Sequence, residues 1–148
     1  MKYLANNKKA FHEYHILEKF EAGMVLEGNE VKSIRQGKLS IQEAYVEIRQ
    51  NEAWIVGMNV TPYEQAGVFR SDPVRARKLL LHRREINQLY DAVKQQGVTI
   101  VPLSVYLSPR GHIKLEIGLA KGKKLYDKRE SQKERDTKRY LDRYLKTN

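Results

Sequence analysis

Carboxylates and histidines are the side chains here that could support catalysis, and neither set matches a familiar active site. Glu18, Glu21 and Glu30 lie close enough in the sequence to suggest an acid/base pair or a magnesium site. His12 and His15 are three residues apart, but the residues between them fit entry into a strand better than a helix aligning two metal ligands. A metal-dependent nuclease that uses the three glutamates stays open as an alternative, while no cofactor and no bound metal are expected.

Several enzyme classes leave no signature in the sequence. There is no Gly-rich nucleotide-binding loop, no GxSxG nucleophile motif and no HExxH zinc motif. The chain has no cysteine, which excludes disulfides, thiolate catalysis and cysteine zinc sites. No apolar run has the length of a signal peptide or a membrane span, so a cytoplasmic location without membrane contact is expected.

Positive charge points instead to a polyanionic partner. Lys and Arg total 28 against 18 Asp and Glu, a formal net charge of +10, and nucleic acid is the leading candidate. The densest basic stretch before the C-terminal region lies within residues 70–84, with Tyr63 and Phe69 nearby as candidate stacking surfaces. We expect this stretch to hold an RNA backbone rather than to read its sequence. Its predicted RNA-binding residues include Arg75, Arg77 and Lys78.

The charge is uneven, and this unevenness divides the chain. Residues 121–148 carry 11 basic and 5 acidic side chains, against 17 basic and 13 acidic in residues 1–120. The C-terminal region is also poor in apolar side chains and cannot offset its own ordering entropy. The sequence therefore predicts one domain over residues 1–120 and a basic tail over residues 121–148 that is disordered when free and can become helical against a partner.

Apolar periodicity within residues 1–120 predicts mainly β structure. Alternation predicts a long strand over residues 14–26, a hairpin over residues 44–60 and a second hairpin over residues 100–119. Residues 1–10 are polar and basic without periodicity and are predicted to be a short arm. Several strands buried on one side, mostly antiparallel, indicate a small closed or partly open barrel rather than a doubly wound sheet.

Two helices are predicted between these strands. The first is short, covers residues 30–36 and is capped by Asn29. The second lies in the segment RREINQLYDAVKQQG, has apolar residues at spacings of three and four, and ends just before Gly97. His82 precedes this second helix with Glu85 three residues later, which is typical of a capping arrangement.

Four blocks of sequence together resemble one known family. The blocks FEAGMVLEGNEVKSIRQGK, DPVRARKLLLHRREI, IGLAKGKK and YDKR resemble the SsrA-binding proteins, also called small protein B, which are bacterial partners of transfer-messenger RNA (tmRNA). The resemblance runs in register from about Asn7 to Arg139. It implies an oligonucleotide-binding-like closed antiparallel β-barrel with two or three flanking helices and a flexible basic C-terminal tail. It also implies a non-enzymatic protein that acts with tmRNA to free ribosomes stalled on messages without a stop codon.

The resemblance further implies which residues make contacts. The family's RNA-contacting positions fall on Glu21, Leu80, His82 and Lys114. The tail is implied to enter the decoding centre and the empty message channel of the ribosome. Its implied ribosome-binding residues are Tyr126, Asp127, Lys128, Arg129, Lys133, Arg135, Lys138 and Arg139.

The resulting prediction is an adaptor in which the barrel holds the tRNA-like part of tmRNA and the tail tests the ribosome. A monomer is expected because no long apolar patch stands out in the sequence. Besides the nuclease, a general ribosome-associated barrel protein with a solubilising tail remains an alternative.

Overall fold

The computed structural model of the chain describes residues 1–62 and 72–123, which are mainly β with three helices. The strands are β1 (Lys2–Asn6), β2 (Tyr14–Met24), β3 (Leu39–Ser40), β4 (Tyr45–Arg49), β5 (Glu52–Val56), β6 (Asn59–Val60), β7 (Arg77–Leu80), β8 (Val98–Leu107) and β9 (Ile113–Gly122). The helices are α1 (Lys8–Glu13), α2 (Gly28–Arg35) and α3 (Arg83–Ala92). None of these three helices has the length and apolar character that a membrane span requires.

Seven strands form one antiparallel sheet in the order β1-β8-β4-β5-β7-β2-β9, and β3 pairs with β6 separately. Strand β8 also pairs with β9, and it meets β4 where Ile100 lies opposite Val46. The long strands β2 and β9 pair along almost their whole length, with one irregularity between Ile16 and Glu18. The short strands β4, β5 and β7 are therefore held between the long strands β8 and β2.

The main apolar core lies on one face of this sheet. Strand β2 contributes Phe20, Ala22 and Met24 to it, and the residues between them face outward, as period-two alternation requires. Helices α2 and α3 cover the core with Ile34 and Leu89, both fully buried. Burying an aliphatic side chain of this size contributes about 1.5–3 kcal/mol.

A second, smaller core lies between α1 and the outer face of the sheet. Asn7 begins α1, since its Oδ1 accepts a hydrogen bond from the backbone N of Ala10 at 3.1 Å. Its Nδ2 donates to the carbonyl oxygen of Pro102 at 2.8 Å, which ties the start of the helix to β8. The residues packed together here are Ala10, Val101, Leu103 and Ala120.

The N-terminal residues were predicted to be an arm, and this prediction is wrong. Residues 2–6 form β1 on the edge of β8, and residues 8–13 form α1 over its outer face. Strand β8 is consequently buried on both faces from Ile100 to Tyr106. The predicted alternation of β8 between core and solvent is lost because α1 replaces solvent on one side.

The predicted helices are present, but α2 has a different cap and α3 ends at Ala92, four residues before its predicted end. Helix α2 begins two residues earlier than predicted, with Glu27 rather than Asn29 at its N-cap. The backbone N of Glu27 donates to Glu30 Oε1 at 2.9 Å. Before α3, the backbone N of His82 donates to Glu85 Oε1 at 3.0 Å, which confirms the predicted capping arrangement there.

Strand β9 crosses the predicted domain boundary. It runs to Gly122, and Lys121 within it is 5% exposed. Three sets of sequence predictions concern residues outside the described ranges. These are the stacking residues Tyr63 and Phe69, the conformation of the tail beyond residue 123, and the ribosome-binding residues Tyr126, Asp127, Lys128, Arg129, Lys133, Arg135, Lys138 and Arg139.

Candidate nucleic-acid interface

A groove of about 540 Å³ opens on the outer face of the sheet beside the start of α3. Its walls come from β2, β5, β7, β9 and the first turn of α3, which are far apart in the sequence. Five of the seven residues predicted to bind RNA line it together. These are Glu21, Lys78, Leu80, His82 and Lys114.

Strand β7 presents two of these side chains because its alternation is fixed by what lies beneath it. Arg77 and Leu79 face inward and are 0% and 1% exposed, so Lys78 and Leu80 face the groove. Leu80 is 54% exposed and lies opposite Gly23 of β2. A Cβ at Gly23 would stand 3.4 Å from the Leu80 side chain, an ordinary van der Waals distance, so Leu80 packs directly against β2. The result is an exposed apolar surface on the groove floor.

Glu21 is held in place by a phenol from β8. The Tyr106 hydroxyl donates a hydrogen bond to Glu21 Oε2, and Tyr106 lies opposite Lys114 in the β8–β9 pairing. Burial, and then the hydrogen bond to Glu21 and the nearby charge of Glu116, raise the pKa of Tyr106. The hydroxyl therefore stays a donor at neutral pH. Glu21 is oriented by this donor and keeps lone pairs for a ligand.

Two of the cations that line the groove share one acidic partner. Lys78 Nζ lies 3.7 Å from Glu52 Oε2, and Arg83 Nη2 lies 3.4 Å from Glu52 Oε1. Arg83 also donates to the carbonyl oxygen of Asn51. The groove is thus mixed in charge, with an apolar floor. Such a surface suits a folded RNA that presents both backbone and base edges rather than a bare phosphate chain.

Arg77 does not belong to this surface, and the prediction that it binds RNA is wrong. Its Nε donates to Glu30 Oε2 at 2.7 Å, and its Nη1 and Nη2 donate to the carbonyl oxygens of Met58 at 2.8 Å and Pro73 at 3.1 Å. The guanidinium is buried and satisfied within the protein. A charged side chain is tolerated there because Glu30, itself 2% exposed, provides the opposite charge.

Arg75 is bound to the same carboxylate. Its Nη2 lies 2.6 Å from Glu30 Oε1, and its side chain is 27% exposed. It does not line the groove. Burial alone would raise the pKa of Glu30, but the hydrogen bonds from Arg75 and Arg77 outweigh it and hold that pKa below its usual value.

The three glutamates considered for a nuclease do not form one site. Glu18 accepts a hydrogen bond from Gln88 at 2.7 Å, Glu21 accepts one from Tyr106, and Glu30 is enclosed by two arginines. Within residues 1–62 and 72–123, no three histidine or acidic side chains converge to hold a metal ion. The metal-dependent arrangement that the sequence left open is therefore absent from these three residues.

Sequence reasoning missed several residues that shape the groove. Tyr106 and Glu52 gave no signal because their roles depend on which strands are neighbours. In the sequence, Arg83 is only one member of a basic run beside His82. The structure places it in the groove lining, where it pairs with Glu52.

The model of the SmpB protein family matches residues 4–147. The chain belongs to the SmpB protein family. It is 53% identical over 145 residues to the SsrA-binding protein of Acetivibrio thermocellus, covering 98% of this chain and 94% of that protein. It is 54% identical over 145 residues to the SsrA-binding protein of Fusobacterium nucleatum subsp. nucleatum, covering 98% and 97%.

A solved SmpB-family structure has a similar fold. The match has a TM-score of 0.67 and 42% sequence identity, and it covers 80% of this chain and 82% of the other. That structure is described as "tmRNA-SmpB: a journey to the center of the bacterial ribosome".

Proposed function

We propose that this SmpB-family chain is an RNA-binding adaptor that holds the tRNA-like part of tmRNA and delivers it to stalled ribosomes for trans-translation. The observation that carries this proposal is the groove itself, which gathers Glu21, Leu80, His82 and Lys114 from three separate segments. The relatives are named SsrA-binding proteins, and the similar structure is described by tmRNA, SmpB and the ribosome, which supports the same partners here.

We infer that the sheet is a closed barrel of the oligonucleotide-binding type. Strands β4, β5, β7, β2 and β9 pair in series, and β8 pairs with both β9 and β4. This series of pairings returns to its start, which is the property that defines a barrel. The groove then lies on the barrel's outer wall, where β2, β7 and β9 meet the start of α3.

Each groove residue has a role that its chemistry supports. Lys114 pairs with a phosphate, and the half-exposed Leu80 packs against the surface of a folded RNA. His82 is exposed at the start of α3 and offers a ring nitrogen for a hydrogen bond. Glu21, oriented by Tyr106, accepts from a base amino group.

The tail completes the adaptor. The basic residues beyond residue 123 follow the phosphate-lined path of the decoding centre and the empty message channel, and Tyr126 stacks on a ribosomal base. Because the tail becomes ordered only inside an empty message channel, its contact with the ribosome forms only when that channel is vacant. The chain works as a monomer, without catalysis, in the cytoplasm where ribosomes stall.

The test is binding of the full-length chain to the tRNA-like fragment of tmRNA, measured by fluorescence anisotropy at several salt concentrations. Lys114→Ala should weaken binding by about tenfold and reduce the slope of log affinity against log salt by about 1, because one phosphate contact is lost. Lys94→Ala is the matched control, since Lys94 is exposed beyond the far end of α3. Equal affinities for the parent and both variants would refute the role of this groove.

Comparing two RNAs distinguishes the tmRNA adaptor from the alternative of a general ribosome-associated barrel protein. An adaptor for tmRNA should prefer the tRNA-like fragment of tmRNA over an ordinary transfer RNA under the same conditions. Equal binding to both RNAs would favour the general alternative.

A further inference from the structure

The outer surface of the sheet does not end at the groove but continues across β5 and β4. Lys78, at the edge of the groove, lies directly opposite Trp54 in the β7–β5 pairing. Directly opposed residues of an antiparallel pair project from the same face, about 4.5–5.5 Å apart at Cβ. Ala53 and Ile55 are fully buried on the other face, so Trp54 lies on the outer face beside Lys78.

The next side chain along this surface is Arg49 on β4. Its guanidinium carbon lies 5.5 Å from the centre of the Trp54 ring, and its side chain is 53% exposed. Glu47 Oε1 contacts Arg49 Nε at 2.7 Å and steadies the guanidinium from one side. A guanidinium carries four further N–H donors on its two terminal nitrogens, in a plane that suits phosphate or a nucleobase.

We propose that the RNA-contacting surface extends from the groove to Arg49, which binds a nucleotide of the same tRNA-like RNA through its guanidinium. Trp54 is the positioning residue, because its ring supports the guanidinium from beneath. The partner is the RNA already assigned to the groove, since Lys78 makes the surface continuous and Arg49 adds a cation. This inference rests on the proposed function and adds a contact that the sequence analysis did not predict.

The charge of the extension favours an anionic ligand. The cationic side chains of the strip are Arg49, Lys78 and Arg83, and the acidic side chains that contact them are Glu47 and Glu52. The strip therefore keeps one positive charge after these pairings. A bidentate or stacked guanidinium contact depends on the planar group, so a lysine at residue 49 would replace the charge but not the contact.

Trp54 is the only tryptophan of the chain, which provides a direct readout. The full-length protein is titrated with the tRNA-like fragment of tmRNA while its tryptophan emission is followed. The emission should change saturably, with a midpoint that matches the affinity from anisotropy. Arg49→Ala should weaken binding about five- to tenfold and reduce the salt slope by about 1, and Arg49→Lys should restore the salt slope without restoring the full affinity.

Two further variants test the positioning role and the control surface. Trp54→Phe should keep affinity near the parent, because an aromatic ring still supports Arg49, whereas Trp54→Ala should weaken binding as Arg49→Ala does. Lys94→Ala removes the cation from another exposed cation–aromatic pair, Lys94 over Tyr90 at 4.5 Å, and should leave the affinity unchanged. Circular dichroism and thermal unfolding confirm that each variant is folded before its affinity is compared.

The possible outcomes separate this extension from the groove. If Lys114→Ala weakens binding while Arg49→Ala does not, the extension is overturned and the proposed function stands. The extension is also overturned if RNA changes the tryptophan emission but Arg49→Ala binds as tightly as the parent, because the proposed contact is made by Arg49. If neither Arg49→Ala nor Lys114→Ala affects binding, the groove fails together with its extension.

Discussion

At the scale of single residues, Glu30 is the charge on which strand β7 depends. Its carboxylate is 2% exposed and receives the backbone N of Glu27 and the guanidinium groups of Arg75 and Arg77. Arg77 begins β7, so this contact fixes where the strand starts and which of its residues face outward. The groove positions of Lys78 and Leu80 therefore follow from a buried ion pair that lies outside the groove.

Glu30→Gln should therefore destabilise the fold strongly. The substitution keeps the shape of the side chain but leaves the buried Arg77 guanidinium without a compensating charge. Removing one partner of a buried pair costs about 3–5 kcal/mol. Urea unfolding at pH 7 measures the change. Glu43→Gln is the control, since Glu43 lies on the surface and pairs with the exposed Lys9 at 3.1 Å, and it should change the unfolding free energy little.

The same carboxylate makes stability depend on acid pH in a defined direction. The pKa of Glu30 is lowered in the folded state, so its contribution is complete above the usual pKa near 4.5 and is lost as the pH falls through the folded value. The parent protein should lose unfolding free energy below about pH 4.5. Glu30→Gln should show a flatter decline over that range in unfolding experiments at several pH values. An identical slope in both proteins would contradict this assignment.

At the scale of secondary structure, alternation predicted β2, β4, β5 and β9 because each has one face in the core and the other outside. Helix α1 could not be predicted in this way, since Ala10 is its only buried residue and forms no apolar stripe. Strand β8 was predicted to be half-buried because the helix that covers its outer face was not predicted. Arg77 was wrongly predicted to bind RNA because a run of basic residues in the sequence does not reveal that Glu30 pairs with one of these residues inside the protein.

On the side of the sheet that faces α1, Gly118 of β9 is closely packed and allows a test of packing. A Cβ at Gly118 would lie 3.0 Å from Leu103 Cδ1 and 3.1 Å from Ile16 Cγ2, whereas one at Gly122 would meet no atom within 4 Å. Gly118→Ala should reduce the unfolding free energy by about 1–3 kcal/mol, because the buried Leu103 has little room to move. Gly122→Ala on the same strand is the matched control and should be close to neutral. Thermal or urea unfolding that gave equal effects would contradict the close approach.

At the scale of the whole molecule, the two regions carry charge in different ways. Residues 124–148 contain nine basic and five acidic side chains, a higher density of net charge than in the preceding 123 residues. In the part of the chain that the structure describes, several cations are already paired, as Glu52 and Glu30 show. We therefore expect shape and local chemistry to dominate RNA binding by the sheet, and long-range electrostatics to dominate the action of the tail.

The final prediction separates these regions by truncating the chain after Lys123, which keeps β9 intact. A cut after residue 120, the predicted domain boundary, would remove the last two residues of this strand. Both apolar cores are built from residues up to Ala120, so the shortened protein should fold. It should bind the tRNA-like fragment of tmRNA within a few-fold of the full-length chain, with a shallower salt dependence, and should lose ribosome rescue in a translation assay on a message without a stop codon. Equal loss of RNA binding and rescue would refute the division of labour, because the groove would then depend on residues that its geometry does not include.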